Sequence, residues 1–460
     1  MNDISCPAVL VSAPASGQGK TLSTAALARA WKNRGLNVQA FKCGPDFLDP
    51  MILEKATGQP VYNLDLGMCG EQDGLARLYR AAQTADVIIV EGVMGLYDGT
   101  PSSADIAVRF GLPVMVTIDA SGMAQTFGAI ASGLLAYQPA LIPAGVLANK
   151  VGSAGHASML RESLPAHLSW FGALQKDEAM ALPERHLGLF RASEIDDIEA
   201  RIEAAALALA SSGDLPLPPQ VSFKAPAPLN TPQLLAGKTI AIARDAAFCF
   251  IYPANLDCLV ALGANLIFFS PLNDQTLPEA DAYWLPGGYP ELHVKEISGN
   301  SAMRVSLKAA FDADKPILAE CGGMMALAEA INGTPVFGLL AGHCQIEKRF
   351  QGLGTQHVSL DQSELAQSKL AAHTFHYGSF TTPLAIAFQA TSQYGQGEAV
   401  YQHGSITASF LHFYFASNPQ VAASLFLTKG LGLAKDLDLA KDLGLTKDLA
   451  LTKNLGLAED

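Results

Sequence analysis

Two stretches of this sequence carry residues whose types and spacing suit chemistry. The first, "SAPASGQGKT" at 12–21, lies between an apolar run and a helical one. Gly17 and Gly19 let backbone N–H groups turn inward around phosphate oxygens. Lys20 reaches the outer phosphates, and the Thr21 hydroxyl suits Mg²⁺. Phosphate loops usually carry glycine where this chain has Pro14, so the loop is a variant. Its metal needs a carboxylate, and the strand-like "DVIIVEGVMGLYDG" (86–99) runs into Glu91, with Asp98 in the glycine-flanked loop beyond. "FKCGPDFLDP" (41–50) adds Asp46 and Asp49 at another strand end. Strand ends of a parallel sheet converge on one crevice. Glu91 and Asp46 are therefore expected to serve metal and substrate. Asp98 and Asp49 also suit turns, and for Asp49 the turn is the expected role. In "ANK" (148–150), the Asn149 amide can read a purine edge, although alone it is an ordinary strand-end residue.

The second stretch is "AECGGMMAL" (319–327), where Cys321 stands between an apolar run and a helix-like segment. The sharp turn allowed by Gly322 and Gly323 would hold the thiol at a helix N-terminus, whose dipole favours thiolate. One crossover earlier, "YWLPGGYPEL" (283–292) ends a strand in paired glycines. A backbone N–H there and that of Gly322 can stabilise an oxyanion. A lone cysteine beside glycines is more often structural. Two oxyanion donors and a histidine at a later strand end favour a nucleophile. His412 in "GSITASFLHFYFASNP" is the preferred base, with His376 and His403 as competitors.

Both sites need sheets to position them. Apolar runs at 7–13, 37–43, 86–91, 113–119 and 144–149 alternate with helix-like stretches such as 20–34 and 122–137, which predicts a parallel sheet covered on both faces. An alanine-rich helix at 194–212 closes this block. The proline-rich 211–237 reads as an extended linker. A second alternation runs through 238–245, 263–271, 281–288 and 315–323. The expected organisation is α/β throughout: a phosphate-loop domain over 1–210, the linker, a second domain over 238–427, and a tail over 428–460. In the tail, hexapeptides such as LGLAKD and LGLTKD smear their leucines around a helix, so a frayed extension is expected.

The chain's 460 residues, 49% hydrophobic and 16% charged, suffice for two or three buried cores. A net charge of −13 argues against nucleic acid or an anionic membrane as the main partner. The start of the sequence reads as a strand rather than a leader, and prolines and glutamines break the most apolar stretch, 122–148, so no membrane span is expected. Seven scattered cysteines fit a reducing cytoplasm and no zinc site.

The order of "APASGQGKT", "KCGPDFLDP", "VEGVMGLYDG", "RDAAFCFIYPANLDCL", "LPGGYPELH", "AECGGMM" and "FHYGSF" resembles the cobyrinate a,c-diamide synthases, including those acting on hydrogenobyrinic acid. The resemblance implies a dethiobiotin-synthetase-like ATP domain followed by a class I glutamine amidotransferase domain. It implies ATP and Mg²⁺, a corrin macrocycle and L-glutamine as partners, and leaves a homodimer open. It implies phosphorylation of the a- and c-side-chain carboxylates and displacement of phosphate by ammonia from glutamine. Cys321 then matches the glutaminase nucleophile, His412 its partner, and Gly288 and Gly322 the oxyanion donors. Lys20, Thr21, Asp46 and Glu91 match the nucleotide, Mg²⁺ and carboxylate-activating positions. The wider amidotransferase pattern carries His-x-Glu, whereas Tyr414 stands two residues after His412. Another group must orient that histidine.

Overall fold

The computed structural model describes residues 3–185, 188–189, 191–213, 215–227, 231–360 and 369–428. The repetitive tail lies outside them. In the first half, strands β1 (Ile4–Ser12), β2 (Val38–Cys43), β3 (Tyr62–Leu64), β4 (Val87–Glu91), β5 (Val114–Asp119), β6 (Pro143–Val151) and β7 (Ser169–Gln175) run parallel in the order β3-β2-β4-β1-β5-β6-β7. Alternation along β1 sends Ala8 and Leu10 into one core layer and Val9 and Val11 into the other. That is why the strand is apolar throughout rather than alternating. Helix α1 (Lys20–Asn33) starts directly after the glycine loop, and Gly19 takes a left-handed φ of 85° at its N-cap.

Three features depart from the sequence expectation. Strand β3 has only three residues, and β7 contains Gly172 at φ 121°, so neither shows a clean apolar run. The supposed linker contains a strand, Gln220–Phe223, which pairs antiparallel with Ile4–Pro7. It uses the stretch of β1 that precedes the pairing of Ala8–Val11 with β4.

The second half builds one sheet of two characters. Strands Asn265–Phe269, Thr239–Ala243, Ala282–Leu285, Ile317–Glu320 and Ile406–Ser409 are parallel neighbours in that order. The sheet continues, antiparallel, through Gly395–His403, Ile386–Ser392, Gly352–Ser359, Lys369–His376 and His412–Phe413. Only residues 410–411 separate the last strand from Ile406–Ser409, far from it in the pairing order. The sheet must therefore curl until its edge returns beside the strand that precedes Cys321. Glu320 closes the curl. Its Oε1 accepts from the Phe413 N–H at 2.8 Å and its Oε2 from Trp284 Nε1 at 2.9 Å.

Gly323 sits where the helix after Cys321 crosses the strand end at Leu285, and a Cβ there would overlap the Leu285 carbonyl oxygen. Gly333 has open space around it and differs only in its positive φ. Gly323→Ala should lower stability by about 2–4 kcal/mol, in the range of overpacked cores, and Gly333→Ala by about 1 kcal/mol. Urea midpoints of the two variants, compared at equal slope, check this.

Candidate active site

The strand register assembles the first site. Lys42 on β2 and Val11 on β1 both lie opposite Glu91 on β4, at the strand ends from which the phosphate loop departs. Thr21 opens α1 and donates its hydroxyl to Glu91 Oε1 at 2.8 Å, with Asp49 Oδ1 3.3 Å away. Lys42 is buried and forms ion pairs with Asp49 at 3.0 Å and Glu91 at 3.4 Å, while donating to the Gly92 carbonyl at 2.8 Å. Asp49 is thus part of the cluster and not merely a turn residue, which corrects the expectation. It opens helix α2 (Leu48–Thr57), whose first turn aims it at Lys42. Lys42 was missed altogether. Its signal was a charge inside the strand "VQAFKC".

Burial alone would lower the Lys42 pKa, but Glu91, Asp49 and Asp46 push it up, so the ammonium persists. Burial raises the Glu91 carboxyl to about 8 against the pull of Lys42. Burial and neighbouring Asp49 push Asp46 up to about 7. Asp49 goes the other way: burial would raise it, but the charge of Lys42 together with side-chain hydrogen bonds to Asp46, Lys42 and Glu91 lowers it. Burial, then repulsion by Lys42, lowers the pKa of Lys20, whose ammonium rests on the Ala15 carbonyl at 3.4 Å.

Glu91 Oε2 is fully buried and has no hydrogen-bond partner among the described residues. An orphaned carboxylate oxygen beside the Thr21 hydroxyl fits Mg²⁺, which takes one or two protein oxygens and completes its shell with phosphates and water. No cluster of three His, Cys, Asp or Glu side chains forms a ready-made metal cage among the described residues. That agrees with a shell which the phosphates must finish. Asp46 binds the Leu48 N–H through Oδ1 at 2.8 Å and adjoins Asp49. Asp98 accepts from the Gly95 N–H at 2.9 Å, closing a turn that packs on the Pro14 carbonyl, and Leu96 donates to Ala13 at 2.8 Å. The variant loop is braced from this side. On the other side, Asn149 Nδ2 donates to the Gln18 carbonyl at 2.9 Å, and a Cβ at Gly19 would overlap that amide. Asn149 therefore clamps the loop, and its second N–H and second lone pair are what remain for a purine edge.

In the second site, Cys321 has φ 45° and ψ −108°, a strained conformation for a non-glycine residue. Its N–H bonds the Ser409 carbonyl at 2.7 Å. Gly322 abuts the preceding crossover so closely that a Cβ would lie 3.0 Å from the Gly288 nitrogen. The Gly287 carbonyl accepts from the N–H groups of Cys249 and Phe250, both at 3.0 Å, which fixes the peptide that carries the Gly288 N–H. His412 flanks the same turn, for a Cβ at Gly287 would overlap its imidazole.

The competing histidines are engaged otherwise. His376 is bound to Glu398 at 3.0 Å and to the Gly378 carbonyl at 2.8 Å, and stacks on Phe410. His403 stacks on Phe311 and lies beyond Ile406, which pairs with Ile317 at the opposite end of the strand from Cys321.

The expected thiolate does not survive burial. Burial, with Glu291 next in effect, raises the Cys321 thiol well above its ordinary value, and this exceeds the opposing bond from the Gly322 N–H. The helix after it, Gly322–Leu327, has only six residues and a weak field. Burial, aided by His373 and His376, pushes His412 down to about 3. The resting pair is a neutral thiol and a neutral imidazole.

No polar group orients that imidazole through Nδ1, which is buried with no hydrogen-bond partner among the described residues. Rings hold it instead. Phe250 lies 6.0 Å away and Phe47, from the first domain, 5.0 Å away. The backbone beneath is fixed by Asn255, which donates to the Phe413 carbonyl at 2.7 Å and accepts from the Phe415 N–H at 2.8 Å.

Comparison with known proteins gives concordant results. Residues 9–190 match the CobQ/CobB/MinD/ParA nucleotide binding domain, and residues 239–420 match the CobB/CobQ-like glutamine amidotransferase domain. The chain is 52% identical to the hydrogenobyrinate a,c-diamide synthase of Stutzerimonas stutzeri, over 92% of this chain and 99% of that one. It is 50% identical to the protein of the same name from Pseudomonas aeruginosa, over 92% and 98% of the two chains. It is 47% identical to the cobyrinate a,c-diamide synthase of Herminiimonas arsenicoxydans, over 91% and 96%.

A neutral pair makes a checkable statement about reactivity. Raising the pH should increase the alkylation rate of Cys321 by about tenfold per unit from pH 7 to 9, because only the thiolate reacts. A rate already flat across that range would mean a preformed thiolate–imidazolium pair. Peptide mapping by mass spectrometry separates Cys321 from the six other free cysteines.

Proposed function

The chain belongs to the cobyrinate and hydrogenobyrinate a,c-diamide synthases, enzymes of cobalamin biosynthesis that join a nucleotide-binding domain to a glutamine amidotransferase domain. From that premise we propose that it amidates the a- and c-carboxylates of the corrin macrocycle through acyl phosphates made from ATP. The observation carrying this reading is the pairing of two complementary sites in one chain. One is a glycine loop backed by Lys42 and three acidic side chains, and the other is a strained cysteine at the glycine turn that a histidine flanks.

A carboxylate is a poor electrophile, so it must first be given a leaving group. An oxygen of the substrate carboxylate attacks the γ-phosphorus of ATP as the bond to the β-phosphate oxygen breaks, leaving an acyl phosphate and ADP. The Gly17–Gly19 backbone and Lys20 hold the phosphates, and Lys42 keeps the carboxylates from repelling them. Mg²⁺ on Thr21 and Glu91, with Asp46 beside them, would offset charge on the transferring phosphoryl group. Asp46, poised near neutrality, orients the substrate carboxyl, with Asp98 at the rim.

The nitrogen comes from the second site. Cys321 Sγ attacks the glutamine amide carbon while His412 takes the thiol proton, and the Gly288 and Gly322 N–H groups bind the oxyanion. The proton passes to the departing nitrogen, ammonia leaves, and water cleaves the thioester to glutamate. Ammonia then adds to the acyl carbon and phosphate departs with its oxygen. Ammonia made inside the protein stays unprotonated, which is a physical reason for fusing the domains.

Two variants test the division of labour, with cobyrinate and its cobalt-free counterpart each supplied as substrate. Cys321→Ala should abolish amide gain from glutamine yet leave synthesis from added ammonia largely intact, read by mass measurement of the product. Parallel loss of both would contradict separate sites. Glu91→Gln should lower ammonia-driven amidation by roughly 100-fold, the scale of one preorganised electrostatic contact to a reacting group, while glutamate release persists. Ammonia-driven amidation at the wild-type rate would remove Glu91 from phosphoryl transfer.

A further inference from the structure

We infer that Phe47, in the nucleotide-binding domain, is a positioning residue for His412, in the amidotransferase domain, and so makes glutamine hydrolysis depend on the state of the loop that carries Asp46. The inference rests on the division of labour proposed above and goes beyond it by naming the physical link between the two sites.

Three observations carry it. First, His412 has no polar tether at Nδ1. It is 2% exposed, its Nδ1 has no hydrogen-bond partner among the described residues, and Gly287 leaves no room on its Cε1 side. An imidazole in that situation takes the orientation its packing walls allow. Phe47 is the nearer of its two ring contacts, at 5.0 Å and 52°, against 6.0 Å for Phe250. Second, the Phe47 ring is itself fixed by the amidotransferase domain. It stacks on Tyr252 at 4.3 Å and on Phe250 at 4.8 Å, nearly parallel to the latter at 9°. Phe250 in turn lies 6.0 Å from His412, so three aromatic rings and the imidazole form one packed unit across the domain boundary.

Third, Phe47 cannot move independently of Asp46. The loop between β2 and α2 is pinned at successive peptides: Asn63 Nδ2 donates to the Gly44 and Asp46 carbonyls at 2.8 and 3.0 Å, and the Tyr252 hydroxyl donates to Pro45 at 2.9 Å. Asp46 Oδ1 reaches over Phe47 to accept the Leu48 N–H at 2.8 Å. A change in how Asp46 is engaged, by substrate carboxyl or nucleotide, is passed to the next residue's ring. Tyr414 shows the same division. It stands two residues after His412, where His-x-Glu enzymes place their acid, and it sends its hydroxyl to Asp73 of the first domain at 2.6 Å. That position serves the interface and leaves the ring's orientation to packing.

The experiment uses the full chain. Three rates are measured for the wild type, Phe47→Ala, Phe47→Leu and Tyr252→Phe: amidation driven by glutamine, amidation driven by ammonia, and glutamate release with and without ATP, Mg²⁺ and macrocycle. Misplacement of a catalytic group by about 1 Å costs on the order of 100-fold. Phe47→Ala should therefore lose about 10- to 100-fold in glutamine-driven amidation while ammonia-driven amidation stays within about threefold. Its glutamate release should also lose any response to ATP and macrocycle that the wild type displays. Phe47→Leu, which keeps apolar bulk, and Tyr252→Phe, which frees only the Pro45 anchor, should fall between. Retained ammonia-driven synthesis shows the variants are folded. Equal losses in both nitrogen sources, or wild-type glutamine use in Phe47→Ala, would overturn the inference. Absence of ammonia-driven amidation in the wild type would instead refute the reading of the first domain on which the inference rests.

Discussion

Lys42 is the charge on which the first domain's site depends. Within one crevice the chain places Asp46, Asp49 and Glu91, two of them pushed well above the usual carboxylate range by burial. Three such groups, one fully buried and two half-buried, repel one another. A single buried ammonium, 3.0 Å from Asp49 and 3.4 Å from Glu91, makes the arrangement tolerable. It does so because β2 and β4 are in register at Lys42 and Glu91, and because α2 begins where Asp49 can turn back to the strand. The site is electrostatically unfinished: Glu91 Oε2 has no partner among the described residues, and Lys20 rests on a backbone carbonyl. That is the state in which a nucleotide-binding domain would receive a charged ligand.

The second site solves a different problem by steric means. Cys321 stands at the end of a strand buried on both sides, and the chain bends there through a φ of 45°. The bend is affordable because the N–H still finds the Ser409 carbonyl and because no side chain stands at 322 or 323. Glu320, one residue earlier, ties the nucleophile strand to the histidine strand through the Phe413 N–H. Burial raises its carboxyl to about 8 against the bonds from Phe413 and Trp284, which offset part of the desolvation. The Cys–His relation thus rests on a curled sheet, two backbone hydrogen bonds and the absence of Cβ atoms.

Much of this was legible in the sequence. Apolar runs bounded by glycine or proline located β1, β2, β4, β5 and β6, because parallel strands buried on both faces cannot hide their composition. Gly19, Lys20, Thr21, Glu91, Cys321 and His412 were legible because each stands at a strand or helix end with a chemical reason to be there. What escaped was set by pairing between distant segments. Asp49 looked like a turn former until α2 aimed it at Lys42, and Lys42 looked like an ordinary strand residue until β4 placed Glu91 opposite. Strand Gln220–Phe223 hid inside a proline-rich stretch, because its partner is the far end of the chain's first strand. The thiolate expectation weighed a helix dipole without the burial that outweighs it.

The interface between the domains has the character of a working surface. A stable fusion needs only apolar contact, and Met68, Cys69, Tyr252, Ala254 and Tyr414 provide it. This chain adds directional bonds. Tyr252 reaches the peptide before Asp46, and Tyr414 reaches Asp73, which Arg77 also grips at 2.8 Å while extending to Asp257 at 3.4 Å. The first joins the loop that carries Asp46 to the segment that follows Phe250, and the second joins the helix Glu71–Ala82 to the residue two after His412. Loops fixed in this way sample fewer relative positions, so the orientation of one site constrains the other at equilibrium. An enzyme that must not release ammonia before its acceptor is activated needs such a constraint. The placement of Phe47 between an acidic residue and an untethered imidazole is a direct way to supply it.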